Sequence, residues 1–275
     1  MPTIPSKDEI DYFQQNGVVC LRHCLEPIWT DLLQRGFVNN MNTPGPYACY
    51  YTDQNAPGLF RDDYCNWQRI PEFKQVIFHS NLAQLAAVLL GTQTIRFFHE
   101  HIFLKLKGTV KKTPWHQDLP YFCVDGDQGI SFWIPLTAID ESNKLEFIAG
   151  SHRWGLLFTP KKFNGVDSYD VPNDLYAHLP DFDNRESPHH KLSWTMEVGD
   201  VLAFDFRTVH GNTESGHANT ADRRSIALRF LGENMRYSQR PGEKSPPFPE
   251  VSLPKGAVLD HPSFPIVWPN ALTAL

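Results

Sequence analysis

The period of apolar and polar positions changes along the chain. Up to residue 91 the apolar side chains mostly recur at helical spacing. Ser6 and Glu9 form the S-x-x-E signature of a helix start, Ile10 and Phe13 follow on one face, and Gly17 supplies a stop. A short β-like run, VVCL (18–21), comes next. Residues 26–40 set Ile28, Leu32, Leu33 and Phe37 near a 3.6-residue period, which predicts a helix with that stripe buried. Residues 41–67 break the pattern and read as irregular and rich in rings, with Tyr47, Tyr50, Tyr51, Phe60, Tyr64 and Trp67. PEFKQVIF (71–78) and NLAQLAAVLLG (81–91) predict two further helices. Pro71 opens the first; Ser80 caps and Gly91 stops the second.

From Thr94 the period falls to two. IRFFHEHIFLKLK (95–107) alternates at its end, with Ile102, Leu104 and Leu106 on one face and Phe103, Lys105 and Lys107 on the other. Strands are also expected at GISFWIPL (129–136), KLEFIAG (144–150), SWTMEV (193–198), DVLAFDF (200–206) and RSIALRF (224–230). Helices first and many short strands later predict an α+β, mainly β chain built on a sandwich or barrel. Residues 156–192 lack a regular pattern and read as a lid or binding loop. The tail, 238–275, carries eight prolines and reads as extended over the barrel. With no repeat or linker, one domain is expected: N-terminal helices over about 6–91, a β core over about 94–235, and the tail.

Composition narrows the class. The 275 residues carry a net charge of -6, with no long Lys/Arg run to offset it, which argues against a nucleic-acid partner. KLKGTVKK (105–112), the densest basic patch, reads as a solvated turn. The five cysteines include no CxxC pair, so neither a zinc site nor a disulfide framework is expected. No secretory leader and no run of 18 apolar residues is present, so a soluble cytoplasmic protein without membrane contact is expected. The expected partner is a small-molecule substrate, anionic or zwitterionic; monomer and homo-oligomer both stay open.

TPWHQDLPYF (113–122) carries the chemistry. On a strand, His116 and Asp118 project to one face and offer a nitrogen and an oxygen to one point. A histidine from a distant strand would complete the two-histidine, one-carboxylate set of non-haem Fe(II) oxygenases. His210, after the strand DVLAFDF, is the best candidate; His152, His189, His190 and His217 compete. Thirteen residues beyond His210 stands Arg223, whose planar guanidinium suits the far carboxylate of an α-keto acid. Arg224 would face the opposite way, so one of the two serves; Arg229 lies further along the same strand. Tyr121 and Phe122 are candidates for a pocket wall that excludes water. Tyr47, Tyr50, Tyr51 and Trp67 read either as packing or as a cage for a cation, and Lys105, Lys107 and Arg69 as contacts for an acid or phosphate.

TPWHQDLPYF, GISFWIPLTAIDESNKLEFIAGSHRWG, MEVGDVLAFDFRTVHGN and RRSIALRFLG together resemble the phytanoyl-CoA dioxygenase family of Fe(II)/2-oxoglutarate oxygenases, over most of residues 6–235. The resemblance implies a double-stranded β-helix, or jelly-roll, with flanking N-terminal helices. It implies iron ligands at His116, Asp118 and His210 and 2-oxoglutarate binding at Arg223, with Ser131, Trp133 and Lys105 in the cosubstrate pocket. It implies O2 as co-reactant and hydroxylation of an unactivated C–H bond, with release of succinate and CO2. Related halogenases replace the carboxylate ligand with a small residue; Asp118 is retained, which speaks against halogenation. His152, in GSHRWG, reads as structural. The competing readings are a non-catalytic jelly-roll binding protein and a cupin-like metal enzyme that does not use 2-oxoglutarate.

Overall fold

The computed structural model describes residues 4–52, 58–111, 113–161, 175–184, 186–212, 220–241 and 244–269. Among the described residues four helices lie in the first ninety positions, interleaved with three strands of the larger sheet: α1 (Lys7–Asn16), α2 (Pro27–Asn42), α3 (Pro71–His79) and α4 (Leu82–Leu90). The Ser6/Glu9 capping box forms, and Gly17 ends α1 at φ 77°, a left-handed conformation that glycine adopts without a Cβ clash. α4 also ends on a left-handed glycine, Gly91, but its N-cap is Asn81; Ser80 instead closes α3. Ile28, placed in the buried stripe by its spacing, is 60% exposed. It sits in the first turn of α2, a 16-residue helix packed on the nine-residue α3, so the stripe outruns its partner.

The strands are β1 (Val18–Leu21), β2 (Cys49–Tyr50), β3 (Phe60–Tyr64), β4 (Ile95–Lys105), β5 (Thr113–His116), β6 (Val124–Asp125), β7 (Gly129–Pro135), β8 (Glu146–Ile148), β9 (Lys191–Ser193), β10 (Val201–Asp205), β11 (His210–Asn212), β12 (Arg223–Gly232), β13 (Arg236–Tyr237) and β14 (Ile266–Trp268). The larger sheet runs β1-β10-β7-β12-β4-β3-β2, with β14 added on β4; the smaller runs β5-β11-β8-β9. All named pairs are antiparallel. Two such sheets facing each other, with helices outside, make the jelly-roll expected from the motifs.

Register explains which side chains reach the interior. Arg223, Ser225, Ala227 and Arg229 of β12 lie opposite Lys105, Phe103, His101 and His99 of β4, and Ser225, Ala227 and Arg229 lie opposite Pro135, Trp133 and Ser131 of β7. These share the face turned to the smaller sheet. The alternate residues, among them Ile102, Phe132, Ile134, Ile226 and Leu228, join Leu33, Phe37, Phe73, Val76 and Leu85 in one core beneath the helices. The helices therefore bury the outer face of the larger sheet and leave its inner face free for polar chemistry.

Several expectations need correction. Residues 41–67 contain β2 and β3, which extend the larger sheet past β4. The strand expected at 193–198 forms earlier, at β9; beyond it, Met196 makes only an isolated bridge to Ile139. The tail is extended, but it also contributes β14 and packs Phe248, Val251, Leu259 and Phe264 against Phe98 and Phe122. All five cysteines are free. Among the described residues no helix is long and apolar enough to cross a membrane.

Candidate active site

β5 ends at His116 rather than continuing to Asp118. Asp118 lies in the right-handed helical region, φ -73° and ψ -41°, where it caps a short 3₁₀ turn over Leu119–Tyr121. The two side chains therefore converge because the chain turns, not because a strand alternates. Gln117 fixes that turn: its amide donates to the carbonyls of Arg207, 2.7 Å away, and Leu156, and its oxygen accepts from the Phe158 amide.

His210 opens β11 directly opposite His116. Among the described residues His116, Asp118 and His210 form the one group of three whose ligand atoms all lie within 4.8 Å of one another, and all three are buried. Asp118 Oδ1 is 3.7 Å from His116 Nε2 and 3.9 Å from His210 Nε2. Each imidazole donates its Nδ1 proton to a backbone carbonyl, His116 to Pro114 at 2.8 Å and His210 to Thr208 at 3.0 Å. Both Nε2 lone pairs are thereby left facing the carboxylate. Burial and the neighbouring His210 push His116 down to about 3, and burial lowers His210, so both rings are neutral at pH 7. Burial alone would raise Asp118. The Arg229 guanidinium and the two imidazoles outweigh it and hold the carboxyl well below the usual carboxylate range.

The second oxygen of Asp118 is already engaged. Ser131 Oγ donates to Oδ2 at 2.8 Å and Arg229 Nε at 3.1 Å. Arg229 also donates to His99 Nε2 at 3.2 Å. Only Oδ1 therefore faces the two imidazoles. Ser131→Ala removes one of the two holds and is expected to weaken metal affinity by about 10- to 100-fold, read by metal-ion titration, with little change in melting temperature.

Past Ser131 the inner face leads to a second polar centre. Two strand residues advance about 6.6 Å, from Ser131 to Trp133, and the Arg223 guanidinium lies 5.8 Å from the Trp133 ring. Arg223 is 3% exposed; it donates one bond, to the Asn143 carbonyl, and its Nε has no partner. Opposite stands Lys105, fully buried, bonded to the Lys111 carbonyl and Thr113 Oγ1 and lying over Phe60. Burial, with Arg223 nearby, lowers Lys105 well below its ordinary range. Neither cation meets a carboxylate among the described residues. The basic patch 105–112 is thus no simple solvated turn, since its first lysine lies in the core.

A cavity of 370 Å³ opens beside His116 and Asp118, between them and the edge formed by β2 and β3. Tyr47, Tyr50, Tyr51, Tyr121 and Phe122 line it. Trp67 does not; it packs on Phe78 and Phe97. Lys107 and Arg69 are exposed and outside this lining. Of the competing histidines, His152 is held at the Gln14 carbonyl, His189 packs on Trp154 and Phe182, His190 is exposed, and His217 lies outside the described residues. Sequence reasoning missed His99, Asp62 and the role of Arg229. Arg229 had a legible signal, an even spacing from Arg223 that puts both on one strand face.

A buried His–Asp–His cluster on the inner face of a jelly-roll is the arrangement used by proteins of the two-histidine, one-carboxylate class. Within it, the chain belongs to the phytanoyl-CoA dioxygenase (PhyH) family, whose model matches residues 13–225. No curated protein matches it. Solved structures share the fold. The non-heme alpha ketoglutarate dependent carbocyclase SnoK from nogalamycin biosynthesis superposes with a TM-score of 0.73 at 18% identity, over 97% of this chain and 99% of that one. The epimerase SnoN in complex with Fe3+, alpha ketoglutarate and nogalamycin RO gives 0.67 at 16% identity, over 95% and 98%. EctD from S. alaskensis with 2-oxoglutarate and 5-hydroxyectoine gives 0.65 at 19%, over 92% and 85%.

Proposed function

We propose that the chain is an Fe(II)- and 2-oxoglutarate-dependent oxygenase that hydroxylates an unactivated C–H bond of a small metabolite. The observation that carries this reading is the pairing of two centres in the space between the sheets: the buried His116–Asp118–His210 set, its imidazoles neutral and its carboxylate ionised, and the buried Arg223, whose guanidinium lies 5.8 Å from the ring of Trp133, two residues along β7 from Ser131.

The residues present fit both groups. His116, His210 and Asp118 Oδ1 would hold a ferrous ion on three sides of its coordination sphere, with the tautomers already set by Pro114 and Thr208. Arg223, with an unpartnered Nε and no acid beside it, would grip the distal carboxylate of 2-oxoglutarate, and Lys105 would add positive charge to the same end. Trp133 lies alongside the path between the two centres. Bound together, iron and 2-oxoglutarate supply the oxidising chemistry, in which O2 and the oxo acid are converted to succinate and CO2 and one oxygen atom passes to the substrate. The chain's own part is to place the pieces and keep water out. Arg229 keeps Asp118 ionised and, with Ser131, aims it through one oxygen, Phe147 and Phe204 pack on His210, and Tyr121 and Phe122 wall the cavity.

The test is anaerobic addition of Fe(II) and 2-oxoglutarate, followed by oxygen and a panel of small metabolites. A weak visible charge-transfer band and substrate-stimulated succinate release are expected. Mass spectrometry with labelled O2 then reads one added oxygen atom for hydroxylation and none for ring closure or epimerisation. A non-catalytic barrel or a cupin-like enzyme that ignores oxo acids gives neither band nor succinate.

A further inference from the structure

The cavity beside the cluster holds one ionic group left without a full set of partners. Asp62, on β3, is 1% exposed and lines the cavity. Its Oδ2 accepts from the Tyr51 hydroxyl at 2.9 Å and faces His101 Nε2 at 2.8 Å. Its Oδ1 is buried with no hydrogen-bond partner. Leaving a buried carboxylate oxygen unsatisfied is costly, so such an atom points to a donor absent from the chain itself. Burial and the charge of Asp62 push the Tyr51 hydroxyl up, which keeps it a donor to the carboxylate.

The surroundings favour a cation as that donor. Tyr47 and Tyr64 stack at 5.0 Å and line the cavity with Tyr51. Their π faces attract positive charge in a site partly withdrawn from water. Tyr50 is less available, because Arg61 lies over its ring at 5.1 Å. His101 meets Asp62 only at Oδ2, and neither the arginine nor the lysine that lines the cavity is available to Oδ1. Arg229 is spent on Asp118 and His99, and Lys161 is exposed and screened by solvent.

We infer that the substrate carries a protonated amine, which Asp62 receives through Oδ1 against the wall of Tyr47, Tyr51 and Tyr64, while the carbon to be oxidised lies toward His116 and Asp118. The inference rests on the proposed function only in taking this cavity as the substrate's. Asp62 sits opposite Phe103 and Tyr64 opposite His101, with His99 a further pleat toward Arg229 and Asp118. The amine end and the cluster therefore lie at opposite ends of one groove. Of the two substrate types expected from Lys105, Lys107 and Arg69, anionic or zwitterionic, the zwitterion alone carries such a group.

Calorimetric titration of the metal-free full-length protein tests this with three probes of matched size: phenethylammonium, 2-phenylethanol and 3-phenylpropionate. The amine is expected to bind at least tenfold tighter than the alcohol, and the carboxylate weakest. Asp62→Asn keeps the shape but not the charge, and should erase the preference for the amine while leaving the alcohol's affinity in place. Tyr47→Leu should weaken the amine more than the alcohol, and carries the same test should Asp62→Asn fail to fold by circular dichroism. Equal binding of amine and alcohol, preference for the carboxylate, no measurable amine binding, or a folded Asp62→Asn that binds the amine as the wild type does would each overturn the inference. The outcome is separable from the proposed function. That reading fails on the absence of the anaerobic charge-transfer band, a measurement that needs no amine.

Discussion

Asp118→Ala is expected to bring bound iron and 2-oxoglutarate-dependent succinate formation down to background, measured by metal analysis and product assay on protein loaded anaerobically. No other carboxylate joins the two imidazoles in the described cluster, so no neighbour can replace it. The variant also strands Arg229, 5% exposed, without its acidic partner. Breaking a buried pair from one side costs about 3–5 kcal/mol, so the metal-free variant should melt well below the wild type. The pH dependence has a definite sign. The folded carboxyl is held below its ordinary range, so its contribution to stability is complete above about pH 4 and is lost as the solution becomes more acidic. The gap in stability between wild type and variant should therefore narrow in acid. Wild-type iron content in the folded variant would remove Asp118 from the proposed site.

The second large effect is expected at Arg223. Arg223→Ala should raise the KM for 2-oxoglutarate by about 10²-fold, the scale set by losing one partner of a buried charge pair, while iron still binds. Arg223→Lys should recover only part of this, because an ammonium lacks the planar two-pronged geometry that matches a carboxylate. Succinate release measured across 2-oxoglutarate concentrations reads both. An unchanged KM in either variant would move the cosubstrate's far end elsewhere, with Lys105 the next cation on that face.

Much of the site was legible because period-two alternation is a strong signal in long strands. Lys105, Ser131, Trp133 and Arg223 all lie on the inner face that their parity suggests. His116 and Asp118 were paired for a reason that does not hold. Two residues apart on a strand they would share a face, yet the strand stops at His116 and a helical turn delivers Asp118. The proximity was right because a turn pinned by Gln117 reaches the same point, and those bonds run to residues 39 to 90 positions away. β3 was illegible for a related reason. Its sequence, FRDDY, has no apolar alternation and reads as loop. It is buried all the same, because Asp63 accepts from Asn40 and the Gly45 amide while Asp62 meets Tyr51 and His101. Charged strand positions become affordable only once distant partners assemble, and no local pattern announces them.

β2 and β3 supply Tyr50, Asp62 and Tyr64, with Tyr47 and Tyr51 just beside β2, whereas the His–Asp–His cluster and its supports come from β5, β7, β11 and β12 and the turn after β5. The two groups of residues occupy separate stretches of chain and meet only across the groove. Such an arrangement is an exchangeable cassette: residues 47–64 can drift, or be grafted from a relative, and so retune what is recognised while the oxidising machinery is inherited intact.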